Sequence, residues 1–261
     1  MGLEERVAWP PLGKVAIVTG AARPWGLGYH IALDLAKKGL DVAIADIRED
    51  WGQDSADKIA AQTGRRMLFV KTDVSRRPDV QQMVSRVSAH FRRIDVLVNN
   101  VAIETRQKIA DFSEELFDRM MAVNLKGAIF CCQAVIPEMR KVGGGRIVNI
   151  GSGGAFMPLP GLTIYAATKA GLTIMSKVLA WEVVRDKIVV TVVAAGRMLT
   201  AMGAETGPDE EEAQRRAVGQ PWGRALHPSE VSDVVVYAAT NPSHVLTGQT
   251  LHANGGGMML F

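Results

Sequence analysis

Short β-branched runs separated by longer helical patterns constrain this chain more than any single residue does. Lys14–Thr19 (KVAIVT), Asp41–Asp46 (DVAIAD), Arg66–Lys71, Ile94–Val98 (IDVLV), Arg146–Ile150, Ile188–Val193 and Gln249–Ala253 read as strands. Helical periodicity fills the intervals, over about Gly26–Lys38, Trp51–Gln62, Pro78–Phe91, Ser113–Arg140, Thr163–Arg185 and Ser229–Thr240. Strands that are apolar on both faces and alternate with helices imply a parallel sheet covered on both sides. Right-handed crossovers make such a sheet doubly wound, with ligands bound beyond the C-terminal strand ends. The expectation is an α/β chain with one doubly wound parallel sheet of seven strands. No Pro/Ser-rich or charged linker interrupts it, so residues 1–261 are expected to form a single domain.

Composition narrows the function classes. The chain has 261 residues, 48% hydrophobic and 22% charged, enough for a sizeable core. Thirty Lys and Arg face 27 Asp and Glu, a formal +3, and the longest like-charge run is Glu210–Glu212. That balance carries no nucleic-acid or membrane footprint. Cys131 and Cys132 are adjacent in an apolar helical stretch and read as reduced core residues. The five histidines show no metal-ligand spacing, so no metal is expected. Glu4, Glu5 and Arg6 are not followed by a long apolar run, which argues against a signal peptide, and no segment approaches eighteen consecutive apolar residues. The expectation is a cytoplasmic protein.

Two places carry chemistry. Thr19–Gly28 (TGAARPWGLG) joins the first strand to the first helix, where glycines let the backbone approach a pyrophosphate seated on a helix N-terminus. Asp46 closes the second strand, placed to bond the hydroxyls of an adenosine ribose. Tyr165 and Lys169 stand four residues apart, so phenol and ammonium share a helix face, with Ser152 thirteen positions upstream. A lysine charge one turn away favours the phenolate, making tyrosine a usable acid–base group for an alcohol oxygen. A serine hydroxyl near that oxygen can polarise a carbonyl.

With these residues the chain resembles the short-chain dehydrogenase/reductase family over almost its whole length. The glycine turn is accompanied by Asp73-Val74, Asn99-Asn100-Val101-Ala102, Asn124, Ser152, Tyr165-x-x-x-Lys169 and Ala195-Gly196-x-x-x-Thr200 in matching order and spacing. The resemblance implies a Rossmann-type fold and a nicotinamide cofactor. It makes Tyr165 the general acid/base, Lys169 the group that lowers its pKa and holds the nicotinamide ribose, and Ser152 the substrate-positioning hydroxyl. Asn124 maintains a water-linked proton relay. Gly20, Arg23, Gly26, Leu27, Gly28, Asp46, Asp73, Val74 and Asn100 bind the cofactor together with Tyr165 and Lys169, and Met198 and Thr200 lie near its amide. Three departures bear on the cofactor pocket. Pro24-Trp25 looks like an insertion, Val101-Ala102 replaces the usual Ala-Gly, and Ala195 stands where a proline is usual.

The resemblance implies an oxidoreductase interconverting a secondary alcohol and a ketone. The alternatives are an enoyl-thioester reductase of the same fold, or a non-catalytic dinucleotide-binding protein. The spacing Tyr-x3-Lys favours carbonyl chemistry, because the enoyl branch resembles Tyr-x6-Lys. Phe156, Met157, Leu159, Met198, Leu199 and Met202 suggest apolar walls and hence an apolar or acyl substrate, with Glu104 and Arg197 as charged candidates. Residues 197–222 look like a substrate lid. Asp46, followed by Ile47 rather than a basic residue, predicts NAD in preference to NADP through repulsion of the 2′-phosphate; Arg48 and Arg23 argue the other way, but Arg48 is expected to face solvent at the strand exit and the Pro24-Trp25 insertion hides the direction of Arg23. The Thr163–Arg185 helix is apolar around much of its circumference, so a homotetramer or homodimer is expected.

Overall fold

The computed structural model describes residues 14–199, 209–217 and 220–259. Fifteen regular elements follow in alternation: β1 (Val15–Thr19), α1 (Leu27–Lys37), β2 (Asp41–Asp46), α2 (Glu49–Thr63), β3 (Met67–Lys71), α3 (Arg77–Phe91), β4 (Val96–Asn99), α4 (Glu114–Met121), α5 (Gly127–Lys141), β5 (Gly145–Ser152), α6 (Thr163–Val183), β6 (Ile188–Ala195), α7 (Glu210–Ala217), α8 (Pro228–Thr240) and β7 (Thr250–Ala253). The strands form one sheet in the order β3-β2-β1-β4-β5-β6-β7, every pair parallel. The expected doubly wound seven-stranded sheet is the one observed. Chain direction across the sheet reverses between β1 and β4, and a crevice at such a switch point is where ligands bind.

Alternation along β1 shows how the layers form. Ala16 and Val18 point into one apolar layer with Ile31 and Leu35 of α1, Ile59 of α2 and Val235 of α8. Val15 and Ile17 point into the other, with Met83 of α3 and Val135 of α5. Period two sends successive side chains to opposite faces, so both faces of the strand must be apolar. Full burial of a side chain such as Ile17 contributes about 1.5–3 kcal/mol.

The long helix expected from Ser113 to Arg140 is one continuous rod with an internal fault. Between α4 and α5, Ala122–Lys126 winds as a π-helical turn, and Asn124 sits in it. The rod Glu114–Lys141 is long and apolar enough by composition to cross a membrane, yet Cys131, Val135 and Met139 on it are buried against the sheet. It is a core helix. Within the expected lid, α7 is helical and Met198 forms a bridge to Leu226; residues 200–208 and 218–219 of that segment, including Thr200, lie outside the described residues.

Candidate active site

The glycine turn is tight for reasons its neighbours supply. Gly20 has φ +67°, a left-handed conformation that glycine adopts without strain. A Cβ on Gly28 would stand 2.2 Å from the Gly20 carbonyl oxygen and 2.6 Å from the Asn100 amide nitrogen. Asn100 closes this corner, its side-chain N–H groups donating to the carbonyls of Thr19 and Gly20 at 3.0 and 2.9 Å. Gly26 precedes α1 without any side-chain cap, so the first amides of that helix are available to an anion. The cradle fits a dinucleotide pyrophosphate. Asp73 turns its carboxylate onto the amide and hydroxyl of Ser75, and Val74 is buried against Gly127.

Pro24-Trp25 carries the turn sideways onto α2. The Trp25 ring meets Trp51 edge-on at 5.4 Å. The guanidinium of Arg48 lies 3.9 Å from the Trp51 ring centre and that of Arg23 lies 5.3 Å from it. Arg48, which as a strand-exit residue would be expected to face solvent, is stacked instead, its side chain 32% exposed. Asp46 is turned inward. One carboxylate oxygen accepts the Ala22 amide and the other the Arg48 amide, both at 3.1 Å.

Ser152, Tyr165, Lys169 and Asn124 converge beyond the C-terminal end of β5. Ser152 ends that strand and caps the short turn after it, its oxygen accepting the Gly154 amide at 3.1 Å. Its own O–H remains to donate toward the Tyr165 oxygen. Tyr165 and Lys169 share the sheet-facing side of α6, both buried, with the Lys169 ammonium 5.8 Å from the Tyr165 ring centre. That ammonium donates to the Ile150 carbonyl at 2.8 Å. Asn124 accepts the Ile103 amide at 2.8 Å and donates to the Ile103 carbonyl at 2.9 Å and to the Thr168 hydroxyl at 3.2 Å. It therefore ties the loop after β4 to α6. The π turn carries this buried amide, as such turns often do at functional sites.

The electrostatics correct one expectation. Burial pushes the Tyr165 phenol up to about 12, with the Ser152 hydrogen bond opposing the rise and the Glu104 carboxylate adding to it. Burial likewise brings Lys169 down to about 8, with Glu104 acting the other way. Spacing alone suggests that Lys169 lowers Tyr165. In this structure desolvation of the phenolate dominates, and the Lys169 ammonium is engaged at Ile150.

Two supports escape a reading of motifs. The Asn99 side-chain amide donates to the Asn149 side-chain oxygen Oδ1 at 2.8 Å, and the Asn149 side-chain N–H donates to the Ser176 hydroxyl at 2.8 Å, a buried polar chain from β4 through β5 to α6. Its signal in the sequence is a polar residue inside each of three apolar elements. Thr168 accepts from Asn124 and donates to the Tyr165 carbonyl at 2.7 Å. Of the side chains expected to form apolar walls, Leu159 packs with Ile103 on the cluster that contains Tyr165, whereas Met198 packs on the layer that holds α1 and α8, Met157 is exposed, Phe156 meets His252 edge-on at 5.1 Å, and Met202 lies outside the described residues.

Comparison with known proteins decides the family. A model described as enoyl-(acyl carrier protein) reductase matches residues 20–257. The short chain dehydrogenase/reductase astE of Aspergillus oryzae is 37% identical, over 94% of each chain. The 3-oxoacyl-[acyl-carrier-protein] reductase FabG of Chlamydia trachomatis is 36% identical, over 94% of this chain and 97% of its own. The chain belongs to the short-chain dehydrogenase/reductase family. It is an NAD(P)-dependent oxidoreductase that interconverts an alcohol and a ketone. Among solved structures, the L-sorbose reductase of Gluconobacter frateurii, complexed with NADPH and L-sorbose, superimposes with a TM-score of 0.89 at 28% identity, covering 97% of this enzyme and 99% of its own chain.

That complex overturns the expectation of NAD, since this close structural relative holds NADPH. The local geometry supplies a physical reason. Asp46 already accepts two backbone N–H groups, and two guanidinium groups gather at Trp51 on α2, which follows β2 directly. The expectation of NAD sets both arginines aside, Arg48 as facing solvent and Arg23 as unreadable beside the Pro24-Trp25 insertion, and the structure places both at Trp51.

Proposed function

We propose that this enzyme uses NADPH to reduce a ketone on an apolar or acyl-chain substrate. One observation carries the reading: Ser152, Tyr165 and Lys169 meet at the C-terminal end of β5, with the glycine cradle at the same end of β1, one strand further across the sheet beyond β4. The cofactor, when bound, supplies the hydride. Tyr165, holding its proton at neutral pH because burial pushes it up to about 12, gives that proton to the carbonyl oxygen. Ser152 orients the oxygen, Lys169 holds the nicotinamide ribose, and Asn124 positions the loop that carries Ile103 and Glu104. The description of the matching family model favours a second reading, reduction of an enoyl thioester; the Tyr-x3-Lys spacing favours the ketone. Following loss of reduced nicotinamide absorbance with a 3-oxoacyl thioester, the enoyl thioester of equal length and simple apolar ketones separates them. NADPH consumption with the ketones is expected. Consumption with the enoyl thioester alone, or a preference for NADH, overturns the proposal.

Assembly with other copies belongs to the same reading. Ile174, Val178 and Trp181 form a stripe along α6 and are 60%, 54% and 86% exposed. An apolar helix face of this kind is stabilised by burial, and a two-fold axis would pair it with itself. A dimer or tetramer is expected by light scattering at micromolar concentration, and Trp181→Glu is expected to give a smaller species. A monomeric wild type ends the idea.

A further inference from the structure

The loop after β4 is held at two points, and Glu104 lies between them. Asn124 grips both backbone groups of Ile103, at 2.8 and 2.9 Å, and the Ile103 side chain packs on the cluster that contains Tyr165. Further along, the Gln107 amide donates to the Gly161 carbonyl at 2.9 Å, which ties the loop to the segment leading into α6. Glu104 is thereby carried to the catalytic groups, where its charge bears on both Tyr165 and Lys169. Its side chain is only 25% exposed, and among the described residues its carboxylate has one ion-pairing or hydrogen-bonding partner, the exposed Arg106 guanidinium at 3.5 Å. Other carboxylates similarly withdrawn from water are better served. Asp34 accepts from Lys37 and Ser232 at 3.1 and 2.8 Å, and Glu138 accepts from Lys141 and Ser88 at 2.6 and 2.8 Å. A partly buried carboxylate calls for donors of this kind, and it has no hydrogen of its own to give.

We propose that Glu104 determines substrate specificity: its carboxylate accepts a hydrogen bond from a hydroxyl on the carbon bonded to the reacting carbonyl, so the enzyme favours a hydroxy ketone over the same ketone without the hydroxyl. The assignment rests on the ketone-reduction reading above and names the substrate class within it. A neutral donor fits better than a cation, since Lys169 and Arg106 already bring positive charge to Glu104. The place of the donor follows from the neighbours. Tyr165 gives its proton to the carbonyl oxygen, and a carboxylate that acts on that phenol meets the carbon beside the carbonyl rather than the far end of the chain. Ile103 and Leu159, packed with Tyr165, face the remainder of the substrate with apolar surface. Glu104 moves no proton in this scheme; it selects the molecule on which Tyr165 acts.

The test compares kcat/KM for a long-chain α-hydroxy ketone and for the ketone of equal size that carries a methyl group in place of the hydroxyl. Wild type is expected to favour the hydroxy ketone by about tenfold to hundredfold, the size of a hydrogen bond to a charged acceptor. Glu104→Leu, which keeps bulk and removes the acceptor, is expected to bring the two ketones within about twofold of each other. Glu104→Gln keeps one acceptor oxygen without the charge and is expected to fall between; it carries the test if Glu104→Leu does not fold. A merely structural part for Glu104 would lower both ketones alike and leave their ratio where it was. A wild type that consumes neither NADPH nor NADH with either ketone overturns the ketone reading itself. A wild type that reduces both equally or favours the methyl-bearing one, or a preference that survives in both Glu104 variants, overturns the role of Glu104 alone.

Discussion

Tyr165→Phe is expected to lower ketone reduction by about 10²–10⁴-fold, the range of a general acid–base contribution. Binding of 2′,5′-ADP, the adenosine end of NADPH, should be unchanged, because the phenol lies at the end of β5 and the glycine cradle at the end of β1. The ring keeps its place, packed with Met120, Leu162 and Ile164, and the change removes one oxygen from a buried site. The groups that face this phenol are Ser152 from β5, Lys169 from its own helix and Glu104 from the loop after β4. Ser152 favours the phenolate while burial and Glu104 disfavour it, and burial prevails. Reduction needs the protonated phenol, so its rate should fall as pH rises through the Tyr165 pKa. Alcohol oxidation needs the phenolate and should rise over the same range. Steady-state profiles in both directions check this. A Tyr165→Phe enzyme that keeps more than about a tenth of wild-type turnover removes Tyr165 from the chemistry.

The sheet, the glycine turn and the placement of Tyr165 beside Lys169 are all legible in the sequence because each is set by neighbours close along the chain. A strand buried on both faces is a local apolar run, and Tyr165 and Lys169 share a face through helix geometry alone. What escapes is set by groups far apart. The side-chain direction of Arg23 depends on Trp51, twenty-eight positions later, and is settled by packing rather than by the insertion itself. The π turn at Asn124 leaves no mark in the hydrophobic pattern, since the rod continues through it. The charge of Lys169 looks available to Tyr165 from spacing, but a strand carbonyl, that of Ile150, engages it. Cofactor choice fails for the same reason. Asp46 reads as an open carboxylate until the loop amide of Ala22 is folded onto it.

Lys169→Met is expected to separate function from stability. An ammonium buried beside one carbonyl is costly, and burial brings Lys169 down to about 8 from its ordinary value of 10.5. Because the folded-state pKa is the depressed one, the unfolded chain binds more protons between about pH 8 and pH 10.5. Stability from this group therefore rises with pH across that window and is lost as pH falls through 8. At pH 7 the charged lysine costs the wild-type fold about 3 kcal/mol at most. Methionine fills similar volume and removes that cost, leaving the Ile150 carbonyl unpaired at about 1 kcal/mol. The variant should be about 2 kcal/mol more stable than wild type at pH 7, and the advantage should shrink by about 2 kcal/mol by pH 10. Tyr165 begins to contribute only near the upper end of the range, and equally in both proteins. Urea unfolding at a series of pH values measures the difference directly, while turnover should fall by at least about 10²-fold. An advantage that does not change with pH would mean that Lys169 binds its proton equally in the folded and unfolded chain, so that burial does not depress its pKa and the ammonium costs the fold nothing.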